Sequence, residues 1–218
     1  MSEQPVISLL GSTALLFEAP GALALVPQQH LWNLALQAAQ WPEIDEAVPG
    51  MNNLMLTFRT PPRDLAGLRE RLLQAWQQST PLALEGRIIE LPVVYGGEHG
   101  PHMQDVVEHT GLDIDTIAHL HSEPLYPVYA LGSHPGYCYL GGMDGRLATP
   151  RRQVPVLNIG AGAVSIGGVQ TGVSASAGPS GWNTIGRTEM AFFDPTQNPP
   201  AILRPGDQLR FRIERIIR

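Results

Sequence analysis

The sequence predicts an α+β fold: a small N-terminal α/β sandwich followed by a β-barrel or β-sandwich. Three observations carry this prediction. Two stretches of helical apolar spacing lie between strand-like runs in the first 84 residues. From residue 132 onward the helical period is gone, and short β-prone pieces such as "AVSIGG" and "QTGVSA" alternate with turns. Thirteen of the 23 glycines fall in the 55 residues from Gly132 to Gly186. That density of turn residues implies a compact all-β unit with many tight bends.

The elements follow in order. Residues 6–19, "VISLLGSTALLFEA", read as two short strands around Gly11-Ser12. Residues 27–41 place Leu31, Leu34, Ala35, Ala38 and Ala39 at helical spacing, and Pro27 suits a first turn. "PGMNNLMLTFRTP" holds a strand with Leu54, Leu56 and Phe58 on one face. "PRDLAGLRERLLQAWQQ" is a second helix that turns Leu65, Leu68, Leu72 and Ala75 or Trp76 inward. The order ββαβα makes residues 1–84 the sandwich, ending in the linker-like "STPLALEG" (79–86). Residues 85–218 form the second domain. "RIIELPVVYGG" starts it as a strand, and residues 102–110 and 114–121 read as short helices. Gly111 suits a C-cap and Asp113 an N-cap. "LYPVYAL" and "MAFF" read as strands, and "DQLRFRIERII" closes the sheet with Leu209, Phe211 and Ile213 alternating with arginines.

Composition narrows the function. The chain has 218 residues, a net charge of −6 and a single cysteine, Cys138. The charge argues against nucleic acid as a main partner, and one cysteine allows no intrachain disulfide. No apolar run approaches the roughly 18 residues of a membrane span. "MSEQPVISLL" does not read as a signal peptide, so a cytoplasmic location is expected. All 14 basic residues are arginine. The chain therefore supplies no Schiff-base amine and no lysine base, while arginine grips carboxylate or phosphate through a planar fork.

"GWNTIGRT" (181–188) almost spells a P-loop, with Arg187 in place of the lysine. A P-loop opens a helix, yet Pro195 follows closely and "MAFF" suits a strand, so the match is read as accidental. "GAGAVS" (160–165) ends its would-be dinucleotide fingerprint in Ser165. Between Gly132 and Arg187 the only acid is Asp144, against Arg146, Arg151, Arg152 and Arg187. Such a local excess draws an anion, and glycines let backbone N–H groups approach it. His99 with His102, and His119 with His121, lack a further ligand, so no metal site is expected. His134, in "GSHPGY", is a candidate acid or base or a turn histidine, Cys138 a buried packing residue, and Ser165 a poor nucleophile elbow.

"LGSHPGYCYLGGMDGRLATPRRQVP" followed by "AGAVSIGGVQTGVSASAGPSGWNTIGRT" resembles the signature of the 5-oxoprolinase B-subunit family. That family also includes Kip-type histidine-kinase inhibitors and chains called allophanate hydrolase subunit 1. "EAVPGMNNL", "IELPVVYGGEHGP" and "LHSEPLY" extend the resemblance upstream and favour the 5-oxoprolinase branch over a Kip-type regulator of a sensor kinase. The resemblance implies a cyclophilin-like β-barrel for the second domain. It implies the A and C subunits of 5-oxoprolinase as partners, in a complex that opens 5-oxoproline to glutamate at the expense of ATP. The ATP would serve the assembled complex and would not bind through a P-loop of this chain, which is not expected to be active alone. Carried onto matching positions, the substrate contacts are Arg151, Arg152, Gln170, Thr171, Trp182 and Arg187. Arg151 or Arg152 would hold the carboxylate, Gln170 and Thr171 would bond the lactam amide, and Trp182 would wall the pocket. No residue is assigned as the catalytic group. The sequence departs from the family pattern at Ser133, Gly160, Ala163, Val173 and Ser180, within the segment expected to hold the site.

Overall fold

The computed structural model describes residues 4–218. They part into two compact units between Leu84 and Glu85. The first unit contains β1 (Val6–Leu9), β2 (Ala14–Glu18), α1 (Leu25–Ala38), β3 (Glu46–Pro49), β4 (Asn53–Thr57) and α2 (Leu65–Gln78). Its antiparallel sheet has the order β1-β2-β4-β3. The strands alternate Leu15 and Phe17 with Leu54 and Leu56 on one face. Leu31, Leu34 and Ala38 of α1 and Leu68 and Leu72 of α2 meet them there. Burying each such leucine or phenylalanine contributes roughly 1.5–3 kcal/mol. The Asp64 carboxylate caps α2 by accepting the Gly67 N–H at 2.9 Å.

The order read from the sequence, ββαβα, omits β3. This strand is a short edge piece ending in a proline, so it lacks the β-branched alternation that marks an inner strand. It is joined to β4 by a turn in which Asn52 takes φ 59°. The fully buried Gln28 side chain holds that turn, donating to the Gly50 carbonyl at 2.9 Å and accepting the Asn52 N–H at 3.0 Å. Ala39, expected inward, is the exposed C-cap of α1.

The second unit contains β5 (Ile88–Gly96), α3 (Met103–Thr110), α4 (Ile114–Ser122), β6 (Tyr126–Leu131), β7 (Cys138–Leu140), β8 (Val156–Ile159), β9 (Ala163–Gly167), β10 (Gln170–Val173), β11 (Gly178–Ser180), β12 (Asn183–Arg187) and β13 (Gln208–Ile217). Seven of these strands close a barrel in the order β10-β7-β6-β13-β5-β12-β9, and β8 and β11 form a separate ribbon. The barrel expectation is met. Leu91, Val93, Val128, Leu140, Val164, Ile166, Val173, Ile185 and Phe211 fill its interior. α4 lies along β13 and adds Ile117 and Ala118 to that core. Gly111 takes φ 71° at the C-cap of α3, and Asp113 accepts the Thr116 N–H at the start of α4.

β13 runs parallel to β5. The buried Asp207 carboxylate fastens its entry: it accepts the Arg87 and Arg204 backbone N–H groups and pairs with the Arg87 guanidinium at 2.6 Å. "MAFF" is a correction. Residues 190–193 form no strand beyond one bridge, Phe193 to Ala201. Asp194 turns the chain there by accepting the Thr196 N–H, and Phe192 serves as a buried anchor. No helix among the described residues is long and apolar enough to cross a membrane.

Candidate functional site

Alternation along β9 and β10 sends Val164, Ile166, Thr171 and Val173 into the barrel. It leaves Ala163, Ser165, Gly167, Gln170 and Gly172 on the outer face. Two of these are glycines, and aromatic rings occupy the space a side chain would fill. A Cβ on Gly167 would lie 2.5 Å from a ring carbon of Trp182, and one on Gly172 would lie 2.7 Å from the Tyr137 hydroxyl. Tyr137 meets Trp182 edge-on at 6.4 Å, Tyr139 at 4.9 Å and His134 at 5.1 Å between ring centroids. Burial raises the Tyr137 pKa, partly countered by the Arg151 charge, so the phenol stays neutral.

The six expected contacts divide. The Arg151 guanidinium stands 5.7 Å from the Trp182 ring centroid, a cation–π arrangement, with no acidic partner among the described residues. Gln170 pairs across the sheet with Gly167, the residue under Trp182, and its amide bonds no described residue. Arg151, Gln170 and Trp182 therefore share one region.

Arg152 points elsewhere. Successive residues of an extended chain face opposite ways, and its guanidinium bonds the Asp105 carboxylate of α3. The two border a cavity of about 410 Å³ with His109, Thr149 and Asn183. Thr171 is also turned away, for the same reason: its neighbour Gln170 faces out, so it faces in. The Thr171 hydroxyl is fully buried, donates to the Ser165 carbonyl at 3.1 Å and accepts from His121 Nε2 at 2.8 Å. The joint use of Gln170 and Thr171 on one amide is thus corrected. Arg187 ends β12, five residues from Trp182, or roughly 16 Å along the strand. Its guanidinium packs against Gly160, where a Cβ would come within 2.4 Å of Nη1, and no described acid pairs with it.

Arg146 is held by Asp144 at 2.6 Å. Of the four arginines in the basic segment, Arg151 and Arg187 alone carry an unpaired charge among the described residues.

Three histidines show contrasting environments. His121 is fully buried. Because Thr171 donates to Ser165, His121 Nε2 must carry a proton toward Thr171, and Nδ1 accepts from the Tyr95 hydroxyl at 2.8 Å. Burial lowers its pKa to about 3 and raises that of Tyr95. His102 accepts the Thr184 N–H on Nδ1 at 2.9 Å and returns its own backbone N–H to the Thr184 carbonyl at 3.0 Å. This bond pins β12 where its register shifts between Thr184 and Gly186. Burial first, then the Arg152 charge, lowers the His102 pKa. His134 differs: neither ring nitrogen has a partner among the described residues, and Nε2 is sealed from water. Burial lowers its pKa, so the ring is neutral near pH 7.

The remaining expectations resolve simply. "GWNTIGRT" lies mostly in β12, a barrel strand, with no helix after it. Cys138 is buried in the core and its pKa rises to about 12, which removes thiolate reactivity. Ser165 Oγ bonds the Thr184 hydroxyl at 3.1 Å, and no described histidine is hydrogen-bonded to it. No cluster of three or more His, Cys, Asp or Glu able to hold a metal occurs among the described residues. Sequence reading misses Tyr137 and Asp105. The aromatic spacing of Tyr137 and Tyr139 beside glycine-rich strands signals the first, whereas nothing local links Asp105 to Arg152.

Residues 5–203 match the family described as "Carboxyltransferase domain, subdomain C and D". The B subunit of 5-oxoprolinase from Escherichia coli O157:H7 is 44% identical over 203 residues, covering 93% of this chain and 93% of that protein. The chain belongs to the 5-oxoprolinase B-subunit family. A solved relative, TTHA0988, is 32% identical with a TM-score of 0.75; the match covers 94% of this chain and 40% of that one. The Kluyveromyces lactis urea carboxylase shares the fold at a TM-score of 0.82 and 16% identity, over 98% of this chain and 22% of that protein. The same fold thus occurs in chains of very different length.

Proposed function

We propose that this chain is the B subunit of an ATP-dependent 5-oxoprolinase, acting with the A and C subunits to open 5-oxoproline to glutamate. The 44% identity to a 5-oxoprolinase B subunit over nearly the whole chain supports this reading most directly. The chemistry of the barrel is consistent with it. 5-Oxoproline carries one carboxylate and one lactam amide. Its single carboxylate needs one guanidinium: in this reading Arg187, over Gly160, holds it, while Arg151 stays stacked on Trp182 beside Gln170. Arg152, neutralised by Asp105, and Thr171, turned into the barrel, do not serve as contacts in this reading. ATP is consumed by the assembled complex, not at the strand formed by "GWNTIGRT", and the complex works in the cytoplasm. Reconstitution tests the proposal. Phosphate release should require all three subunits and 5-oxoproline together. Release by the A and C subunits at an unchanged rate without this chain would refute it.

A further inference from the structure

A cavity of about 230 Å³ lies between the β6–β7 loop and the segment entering β11. It is lined by Ser133, His134, Ile159, Ser174, Ser176 and Gly178, among others. No lining side chain carries a formal charge while His134 is neutral. Its walls are fixed. Ser133 is held at φ 63°, in the left-handed region that a serine seldom adopts. Strain of this kind persists where the surroundings over-determine it, and it concentrates at ligand sites. Here Gly136 wedges the loop against Phe192, Phe193 and Ala175, with no room for a Cβ.

The hydrogen-bonding capacity of this cavity is open. Neither nitrogen of its neutral imidazole is engaged by the described residues; Nε2 is sealed within the fold, so Nδ1 is the atom a ligand can reach, as donor or acceptor according to the tautomer. Three serine hydroxyls can each donate and accept. A secondary amide presents the complementary pair, one N–H and one carbonyl.

A cation stands beside this uncharged chamber. Arg187 pairs with Ala163 across β12 and β9. Ser174, in the cavity wall, continues the row on the far side by donating its N–H to the Ala163 carbonyl at 3.0 Å. Residues in one row share a face, so Arg187 and Ser174 point the same way, about 10 Å apart at their Cα atoms. That span is within the reach of an arginine side chain, and Ala163 between them carries only a methyl group. The guanidinium already lies over Gly160, the residue next to Ile159 in the wall.

We propose that this cavity seats the lactam ring of a small carboxylated lactam, its amide edge bonded by His134 and the serine hydroxyls and its carboxylate carried to Arg187. The inference rests on the 5-oxoprolinase reading for the identity of the ligand. The chamber's affinity for an uncharged lactam does not depend on that reading.

The full-length chain, labelled with ¹⁵N at histidine, is titrated with 5-oxoproline and with 2-pyrrolidinone, the lactam without a carboxylate. The His134 ring signals, assigned by their loss in His134→Gln, should move with both ligands. Arg187→Gln should weaken 5-oxoproline binding at least tenfold, about 1.4 kcal/mol, and leave 2-pyrrolidinone unchanged. Arg151→Gln should alter neither. Ring signals that stay fixed with both ligands overturn the proposal, as does a loss that follows Arg151→Gln and spares Arg187→Gln. In the reconstituted enzyme, His134→Ala should lower kcat/KM at least tenfold, with partial rescue by His134→Gln, which keeps a donor and an acceptor. Wild-type kinetics in His134→Ala would sink this placement and leave the 5-oxoprolinase reading intact. An inactive wild-type assembly with His134 signals still moved by 2-pyrrolidinone would sink that reading and leave the lactam seat standing.

Discussion

The two ends of β12 carry the same unpaired charge on different ground. At one end Arg151 lies over Trp182, on a surface of aromatic rings laid across bare glycine backbone. At the other, Arg187 lies over Gly160 beside a concave chamber of hydroxyls and one unengaged imidazole. Coulomb attraction alone does not distinguish them, because both face solvent and both are screened. What differs is the company. The aromatic end offers a flat apolar face with the Gln170 amide at its edge. The chamber end leaves a partly buried imidazole and the hydroxyl of the buried Ser174 without a described partner, and a ligand that pairs them recovers part of their desolvation cost. A free arginine marks an anion's approach, and the unsatisfied wall beside it marks where a ligand stops.

The sharpest way to break this comparison is to remove each charge in the reconstituted enzyme. Arg187→Gln should lower kcat/KM about a hundredfold, the loss of roughly 2.7 kcal/mol expected when a charge-assisted carboxylate contact goes. Arg151→Gln should stay within about threefold of wild type. Steady-state kinetics with 5-oxoproline as the varied substrate decide it, and equal losses would erase the distinction between the two ends.

The next contrast uses pH and two histidines. His121 has every hydrogen bond filled, and its folded pKa of about 3 lies below the ordinary 6.5. Below pH 6.5 the unfolded chain takes up a proton that the folded chain refuses. Stability from this group is therefore complete above pH 6.5 and falls on acidification toward pH 3, by up to about 1.4 kcal/mol per pH unit. Denaturant titrations across that window should show the slope, and His121→Gln should flatten it. His134 is only partly buried and burial lowers its pKa in the same direction, so His134→Gln should flatten the slope less than His121→Gln does.

Glycine substitutions sharpen the comparison on the scale of packing. A Cβ at Gly167 meets the fused ring of Trp182, which has nowhere to go. Gly167→Ala should cost about 1–3 kcal/mol by overpacking, read as a lowered denaturation midpoint. A Cβ at Gly160 meets only the far end of the flexible Arg187 side chain. Gly160→Ala should cost under about 1 kcal/mol of stability while still weakening 5-oxoproline binding, because the guanidinium must leave its seat.

Much of this is legible in the chain. Helical spacing marks α1 and α2, glycine density marks the barrel, and the motif around Gln170 and Trp182 points to the family. The failures have physical causes. β3 is too short and too polar to register as a strand, and "MAFF" reads as β because its residues favour strands wherever they lie. Thr171 reads as a surface contact because the motif names residue types and not faces. The two-residue period that turns Gln170 outward necessarily turns Thr171 inward, and that period is present in the sequence of β10. The Arg152–Asp105 pair and the His134 chamber join segments far apart in the chain, so no local pattern announces them.

The smallest expected effect concerns that ion pair. Arg152 and Asp105 stand as neighbours of the functional face, yet Asp105 is about half exposed. Exposed pairs contribute little, since side-chain ordering and salt screening offset most of the Coulomb gain. Asp105→Asn should change stability by less than about 1 kcal/mol and leave kcat/KM for 5-oxoproline within error. Freed from its acid, Arg152 would become the third unpaired guanidinium of the Gly132–Arg187 segment. If charge density alone governed binding, affinity for 5-oxoproline would then rise. If the chamber beside Arg187 governs it, affinity stays where it was, and isothermal titration of Asp105→Asn against wild type separates the two.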